Sequence, residues 1–211
     1  MKRILFILLF AGALAGFSGC SPEEDDTIIL LGTESYVHSI AYWVQNASWR
    51  DSLLSNFNSI PEGFYPPCIE GEYRMGEVEF VASNYVDLLD HQDIRLKVLN
   101  QHNRVACVEY NEGGMIHIDT AYVSGEGQVF SLYFVEERAV PSYGSTYSQR
   151  RFVLFTGEKT DQGIKDLYFG SLVLESDCPE EDTLVGSFVP GWFFVYKDKD
   201  GLSEKVSQKT P

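Results

Sequence analysis

Two periods divide the chain. Between residues 36 and 57 apolar side chains return at helical spacing, through Tyr36, Ile40, Trp43, Ala47, Leu54 and Phe57. The pattern predicts a helix that Thr33 caps and that restarts after a kink at Ser48-Trp49-Arg50-Asp51, with Ser48 as the second cap and Asp51 in its first turn. It ends before Pro61. Beyond Pro66-Pro67 the period becomes two. Ile94, Leu96 and Val98 alternate with Arg95 and Lys97, which reads as a half-buried strand. Further alternating runs cover residues 70–75, 78–82, 104–110, 115–123, 128–135, 151–156, 164–174 and 192–197. Glycine-rich turns at Asn111-Glu112-Gly113-Gly114 and Ser124-Gly125-Glu126-Gly127 join three of them as hairpins. Residues 141–147 and 157–163 read as loop and turn.

In residues 128–135 both faces are apolar, so that strand is expected to be covered on both sides. In residues 115–123 Ile116, Ile118 and Tyr122 share one face, taken as the inward one, and His117 and Asp119 the other.

Short connections between about eight strands imply an antiparallel meander. Such a sheet hides its edges best by closing. The expected fold is therefore mainly β: an antiparallel up-and-down barrel of about eight strands, with the N-terminal helix plugging or covering one end. A two-layer β-sandwich is the alternative, because alternation alone does not separate closure from stacking.

The start of the chain follows another logic. Lys2 and Arg3 precede an apolar run that ends in small residues at Leu14-Ala15-Gly16-Phe17-Ser18-Gly19-Cys20, the charge, apolar and small-residue order of a signal peptide. At less than the roughly 20 residues a bilayer demands, it is too short to span one. Cys20 after small residues resembles the bacterial lipobox, with Phe17 in place of the usual Leu, and implies a diacylated Cys20 as lipid anchor. Two acyl chains at ~0.8 kcal/mol per buried methylene hold stably. Ser21, Glu23, Glu24, Asp25 and Asp26 resemble the serine-plus-acidic export signal of Bacteroidetes surface lipoproteins. A plain solvated tether is the other reading of this charge run. Residues 1–19 are thus expected to be signal peptide, 20–32 a lipidated acidic tether, and 33–211 one domain. Within the tether, Thr27-Ile28-Ile29-Leu30-Leu31 is expected to dock on that domain. The protein is expected at the outer membrane, lipid-anchored and facing the exterior.

Charge narrows the partners. The whole chain carries a net charge of -15, and removing residues 1–19 takes away only Lys2 and Arg3, leaving -17. Nucleic acid is a poor partner for such a surface, since phosphate binding rests on Lys and Arg.

A family echo begins at Gly71-Glu72-Tyr73, where a Gly-x-aromatic step at the first barrel strand is similar to the Gly-x-Trp of lipocalins, with Tyr for Trp. Together with Pro66-Pro67-Cys68-Ile69-Glu70, Ser83-Asn84, Gln101-His102-Asn103, Gly163-Ile164-Lys165-Asp166 and Tyr196-Lys197-Asp198-Lys199-Asp200-Gly201-Leu202, the chain resembles uncharacterised Bacteroidetes surface lipoproteins with a lipocalin-like, calycin-type β-barrel. The resemblance implies a fold and a compartment but no activity.

No catalytic motif stands out: there is no Gly-x-Ser-x-Gly elbow, no phosphate-binding loop and no His-Glu-x-x-His pair. The chain reads as a non-enzyme, with no catalytic residue, cofactor or metal assigned. His117 and Asp119 point to one face of a strand and are the weak polar-site candidates, with solvent exposure as their plain reading. His91-Gln92-Asp93 reads as loop, and Asp198-Lys199-Asp200-Gly201 as a turn, because a calcium loop needs more oxygen ligands. Once Cys20 is acylated, Cys68 with Cys178 is the disulfide that joins two loops, and Cys107 sits mid-strand.

Function is then read as non-catalytic binding of a small apolar molecule or a glycan fragment inside the barrel. The alternative is a structural or interaction module of a surface complex, and a hydrolase comes third. An eight-stranded barrel is either packed solid or holds one small ligand; an open interior favours the first reading and a filled one the second.

Overall fold

Alternation in the sequence becomes sheet along most of the chain. The computed structural model describes residues 39–84, 93–112, 114–142, 145–178 and 189–206. Its strands are β1 (Phe64–Tyr65), β2 (Gly71–Arg74), β3 (Val78–Ser83), β4 (Arg95–His102), β5 (Val105–Glu112), β6 (Met115–Glu126), β7 (Val129–Ser142), β8 (Ser145–Lys159), β9 (Gly163–Ser176), β10 (Phe193–Asp198) and β11 (Leu202–Lys205). Helices α1 (Ile40–Trp43) and α2 (Ala47–Leu54) precede them.

Eight of these strands, β2, β4, β5, β6, β7, β8, β9 and β11, link in a ring in chain order, and each ring pairing is antiparallel. The up-and-down meander therefore closes, but unevenly. The edge of β9 opposite β8 is shared, β11 taking residues 163–165 and β10 residues 168–172. β3 lies beyond β10 and off the ring.

The interior follows from strand parity. Phe130, Leu132 and Phe134 of β7, Val153 and Phe155 of β8, and Phe169 and Val173 of β9 point inward and are buried. They meet Tyr73, Leu96, Val98, Val108, Val123, Phe194 and Tyr196 from the other strands. Their rings touch one another: Phe155 stacks on Phe169 at 4.8 Å between centroids, and Phe169 meets Phe194 edge-on at 5.6 Å. Each such side chain, fully buried, contributes about 1.5–3 kcal/mol relative to exposure. The barrel is filled.

A second apolar layer covers the outside. Tyr133, Phe152, Leu154, Tyr168, Leu172, Phe193 and Val195 alternate with the inward set and pack against Ile40, Val44, Leu53 and Phe57. The two-sided burial expected of residues 128–135 holds from Phe130 to Phe134, while Val129 is 40% exposed, and it relocates the helix. It covers the outer face of β7–β10 instead of plugging an end, because the exposed apolar face is there. Gly170 makes the approach possible, since a Cβ on it would stand 2.5 Å from Phe57 Cζ.

The helical stretch is shorter than its period. It breaks over residues 44–46, and the cap of α2 is Asn46, whose side chain accepts from the Trp49 N–H at 3.2 Å, in place of Ser48. Thr33 and Tyr36 lie outside the described residues. The expected loop over 141–147 is smaller too, because β7 and β8 stay paired to Ser142 and Ser145. β6 likewise runs on through Gly125, whose φ of +149° and contact with Val129 suit glycine.

Candidate functional site

The inward parity of three strands changes from apolar to charged at one end of the barrel. On β5 the series Ala106, Val108, Tyr110 ends in Glu112; on β7 the series Phe130, Leu132, Phe134 continues as Glu136 and Arg138; on β8 Arg151 precedes Val153 and Phe155. These residues converge. Arg151, fully buried, donates from Nε and Nη2 to Glu136 Oε1 at 2.8 and 2.6 Å, and from Nη2 to Glu112 Oε2 at 2.8 Å. Tyr110 donates its hydroxyl hydrogen to Glu136 Oε2 at 2.8 Å and accepts from Arg151 at 3.0 Å. Arg138 adds longer bonds to Glu112 (3.4 Å) and Gln149 (3.3 Å).

His117 joins from β6. Its Nδ1 lies 3.3 Å from Glu136 Oε2, and its ring stacks on Tyr110 at 4.8 Å. His117 and Asp119 therefore face inward, and Ile116 and Ile118 are 64% and 67% exposed. The expectation from the apolar face is reversed. The reason is register: Tyr110 and Val108, inward on β5, stand opposite His117 and Asp119, and the charged layer receives a polar side chain there. The two candidates do not share a ligand. Asp119 accepts from the Thr120 N–H at 2.7 Å, and among the described residues there is no group of three or more side chains fit to hold a metal.

Two arginines and two glutamates balance in charge. Burial pushes the Glu112 carboxyl up, but Arg151 and Arg138 beside it prevail and hold it below its usual value. Burial lowers His117, Glu136 opposes, and Arg151 and Arg138 push it further down, so the imidazole is neutral near pH 7, with Nδ1 turned toward the Glu136 carboxylate. Burial also raises the Tyr110 phenol well above its ordinary value. The ensemble is a neutral hydrogen-bonded plug over the aromatic core. Among the described residues His117 Nε2 has no hydrogen-bond partner.

Cys20, Ser21, Glu23, Glu24, Asp25, Asp26 and His91 lie outside the described residues. The Cys68–Cys178 bridge does not form: Cys68 is disulfide-bonded, and Cys178 and Cys107 are not in a disulfide. Residue 163 of β9 is level with Arg74 of β2 through β11, while Cys178 follows the far end of β9. The two cysteines therefore lie toward opposite ends of the barrel. Asp93 pairs with Arg74 and Arg95. The segment from Asp198 to Gly201 is the turn it was read as, with Ser203 Oγ donating to Asp198 Oδ2 at 2.5 Å.

A different feature faces outward. β1 pairs in parallel with Gly125 and Glu126 of β6, and Gly63 ahead of it donates to Ser124 Oγ at 3.1 Å. A Cβ on Gly63 would collide with the Gly125 carbonyl, so glycine is required at this crossing. The pairing holds Phe64 62% exposed and Tyr65 81% exposed, with the Arg104 guanidinium 5.0 Å from the Phe64 ring centroid. A two-residue strand has no alternation to show in the sequence.

The chain matches no protein-family model, no curated protein and no solved structure.

Proposed function

We propose that this is a non-catalytic, lipid-anchored surface protein whose domain works as an interaction module, contacting a partner through Phe64, Tyr65 and Arg104. The observation that carries this reading is the outward display of an aromatic pair on a strand paired to β6. Aromatic residues and arginine dominate the energetic centres of protein interfaces, and leaving two such rings in water has no packing benefit to the monomer. Here the backbone is pinned to hold them there.

The filled interior supports the same choice. A small apolar ligand needs enclosed space, and inside this barrel Tyr110, Phe134, Phe155, Phe169 and Phe194 take it. A broad depression over β2, β4 and β11, lined by Glu72, Lys97, Asn100, Asp161 and Lys205, is open to solvent. The anchor at Cys20 and the export signal that follows it supply the compartment in this proposal. The resemblance to Bacteroidetes surface lipoproteins belongs to it as well.

Photo-crosslinking tests the contact. A photoreactive residue at Tyr65 in intact cells is expected to give a discrete adduct that one at Glu175 does not give. Equal or no adducts from the two positions would refute the assigned surface.

A further inference from the structure

The ring has a seam. β6 and β7 pair from Tyr122↔Tyr133 to Glu126↔Val129, and among the described residues they do not pair beyond that point, although β6 continues back to Met115 and β7 on to Ser142. Hydrogen-bond parity shows which groups line the gap. The Val123 N–H bonds to Arg104 on the β5 side, so the even-numbered Ile116, Ile118 and Thr120 turn their N–H and C=O groups toward β7. The Lys159 N–H bonds to Gln128, so on β7 the odd-numbered Val135, Glu137 and Ala139 turn toward β6. Thr120 N–H is satisfied by its neighbour Asp119. The floor of the seam is the charged layer, where His117 meets Glu136. Its walls are two facing strand edges, with the Ile116 and Ile118 side chains exposed beside them.

Open edges template an added strand. We propose that the chain's own segment Thr27-Ile28-Ile29-Leu30-Leu31 enters this seam as an extended strand and bridges β6 to β7. Its five residues match the five from Ile116 to Thr120, and four are Ile or Leu with Thr at the head, a β-prone run. The described chain begins at the fork itself: α1 packs on β7, Trp43 lies 5.5 Å from Tyr122 between ring centroids, and Tyr122 stacks on Tyr133 at 6.4 Å. The seven residues 32–38 reach up to ~24 Å, and the seam from Thr120 to Ile116 is about 13 Å long. Arriving at the fork in this direction, the segment runs parallel to β6 and antiparallel to β7. The inference is independent of the assigned partner surface. With a lipid on Cys20 it leaves residues 21–26 as the free tether, about 20 Å of chain, and turns the charged end of the barrel toward the membrane.

Hydrogen exchange on the full chain tests it. The amides of Ile116, Ile118, Val135 and Glu137 are expected to exchange slowly, and Ile28→Asp with Ile29→Asp and Leu30→Asp to speed them at least tenfold while β8 and β9 stay protected. Exchange at free-edge rates in the unsubstituted protein would overturn the proposal. So would protection that survives the substitutions, or protection that fades on dilution, which would place a second copy in the seam.

Discussion

Glu136 and Arg151 stand directly opposite each other on β7 and β8, both pointing into the barrel, with Arg151 Nη2 2.6 Å from Glu136 Oε1. A guanidinium this deeply buried is tolerable only because Glu136, Glu112 and Tyr110 surround it. Removing one partner of such a group leaves an uncompensated charge. Glu136→Ala is therefore expected to destabilise the domain by about 3–5 kcal/mol, read as a fall in the denaturant midpoint. Replacing Arg151, Glu136 and Glu112 together with apolar residues of similar volume is expected to cost much less than Glu136→Ala.

The lowered pKa of His117 makes stability depend on pH with a definite sign. The unfolded chain binds a proton at about pH 6.5 that the folded chain refuses until lower pH. Stability from this group is complete above about pH 6.5 and is lost as pH falls from there toward the folded value. Asp119 and Asp198, whose pKa values burial raises, act in the opposite sense at lower pH. The clean reading is a difference: wild type minus His117→Phe, which keeps the stack on Tyr110. That difference is expected to fall as pH drops below about 6.5. A flat difference would mean that His117 is not held neutral.

Phe57 and Gly170 fix the helical layer to the sheet. A methyl group at residue 170 would stand 2.5 Å from the Phe57 ring, so Gly170→Ala is expected to cost about 1–3 kcal/mol through overpacking. Phe57→Leu in the same chain should recover part of it, as thermal unfolding of the pair would show.

At the anchor, Cys20→Ala is expected to leave the precursor uncut and free of lipid, seen by mass and by detergent partitioning. Replacing Glu23, Glu24, Asp25 and Asp26 with Ala should keep the lipid but remove the protein from digestion by protease added to whole cells.

Much of the sheet was legible from the alternation of apolar residues. Phe130, Leu132 and Phe134 against Val129, Tyr133 and Val135 announced a strand covered on both faces, and Gly71 does begin the first strand of the ring with Tyr73 buried. The position of the helix was not legible, because periodicity gives an apolar stripe but not the surface it meets. β6 misled for a physical reason: apolar residues on one face and His117 and Asp119 on the other invite the wrong inside. The inward positions Glu112, Glu136, Arg138 and Arg151 did carry a signal. Each continues an apolar parity series with a charge, and one such charge would be an error of pattern, while four at neighbouring strand ends are a cluster. β1 and the ring-closing β11 were too short to show alternation.

The choice of an interaction module over a ligand carrier rests on the filled interior. Titration of the folded protein with an apolar fluorescent probe, followed by both emission and melting temperature, tests this most directly. The predicted result is no saturable binding and an unchanged melting temperature at any probe concentration. Saturable one-to-one binding that raises the melting temperature by mass action would contradict the account and return the barrel interior to the role of ligand site.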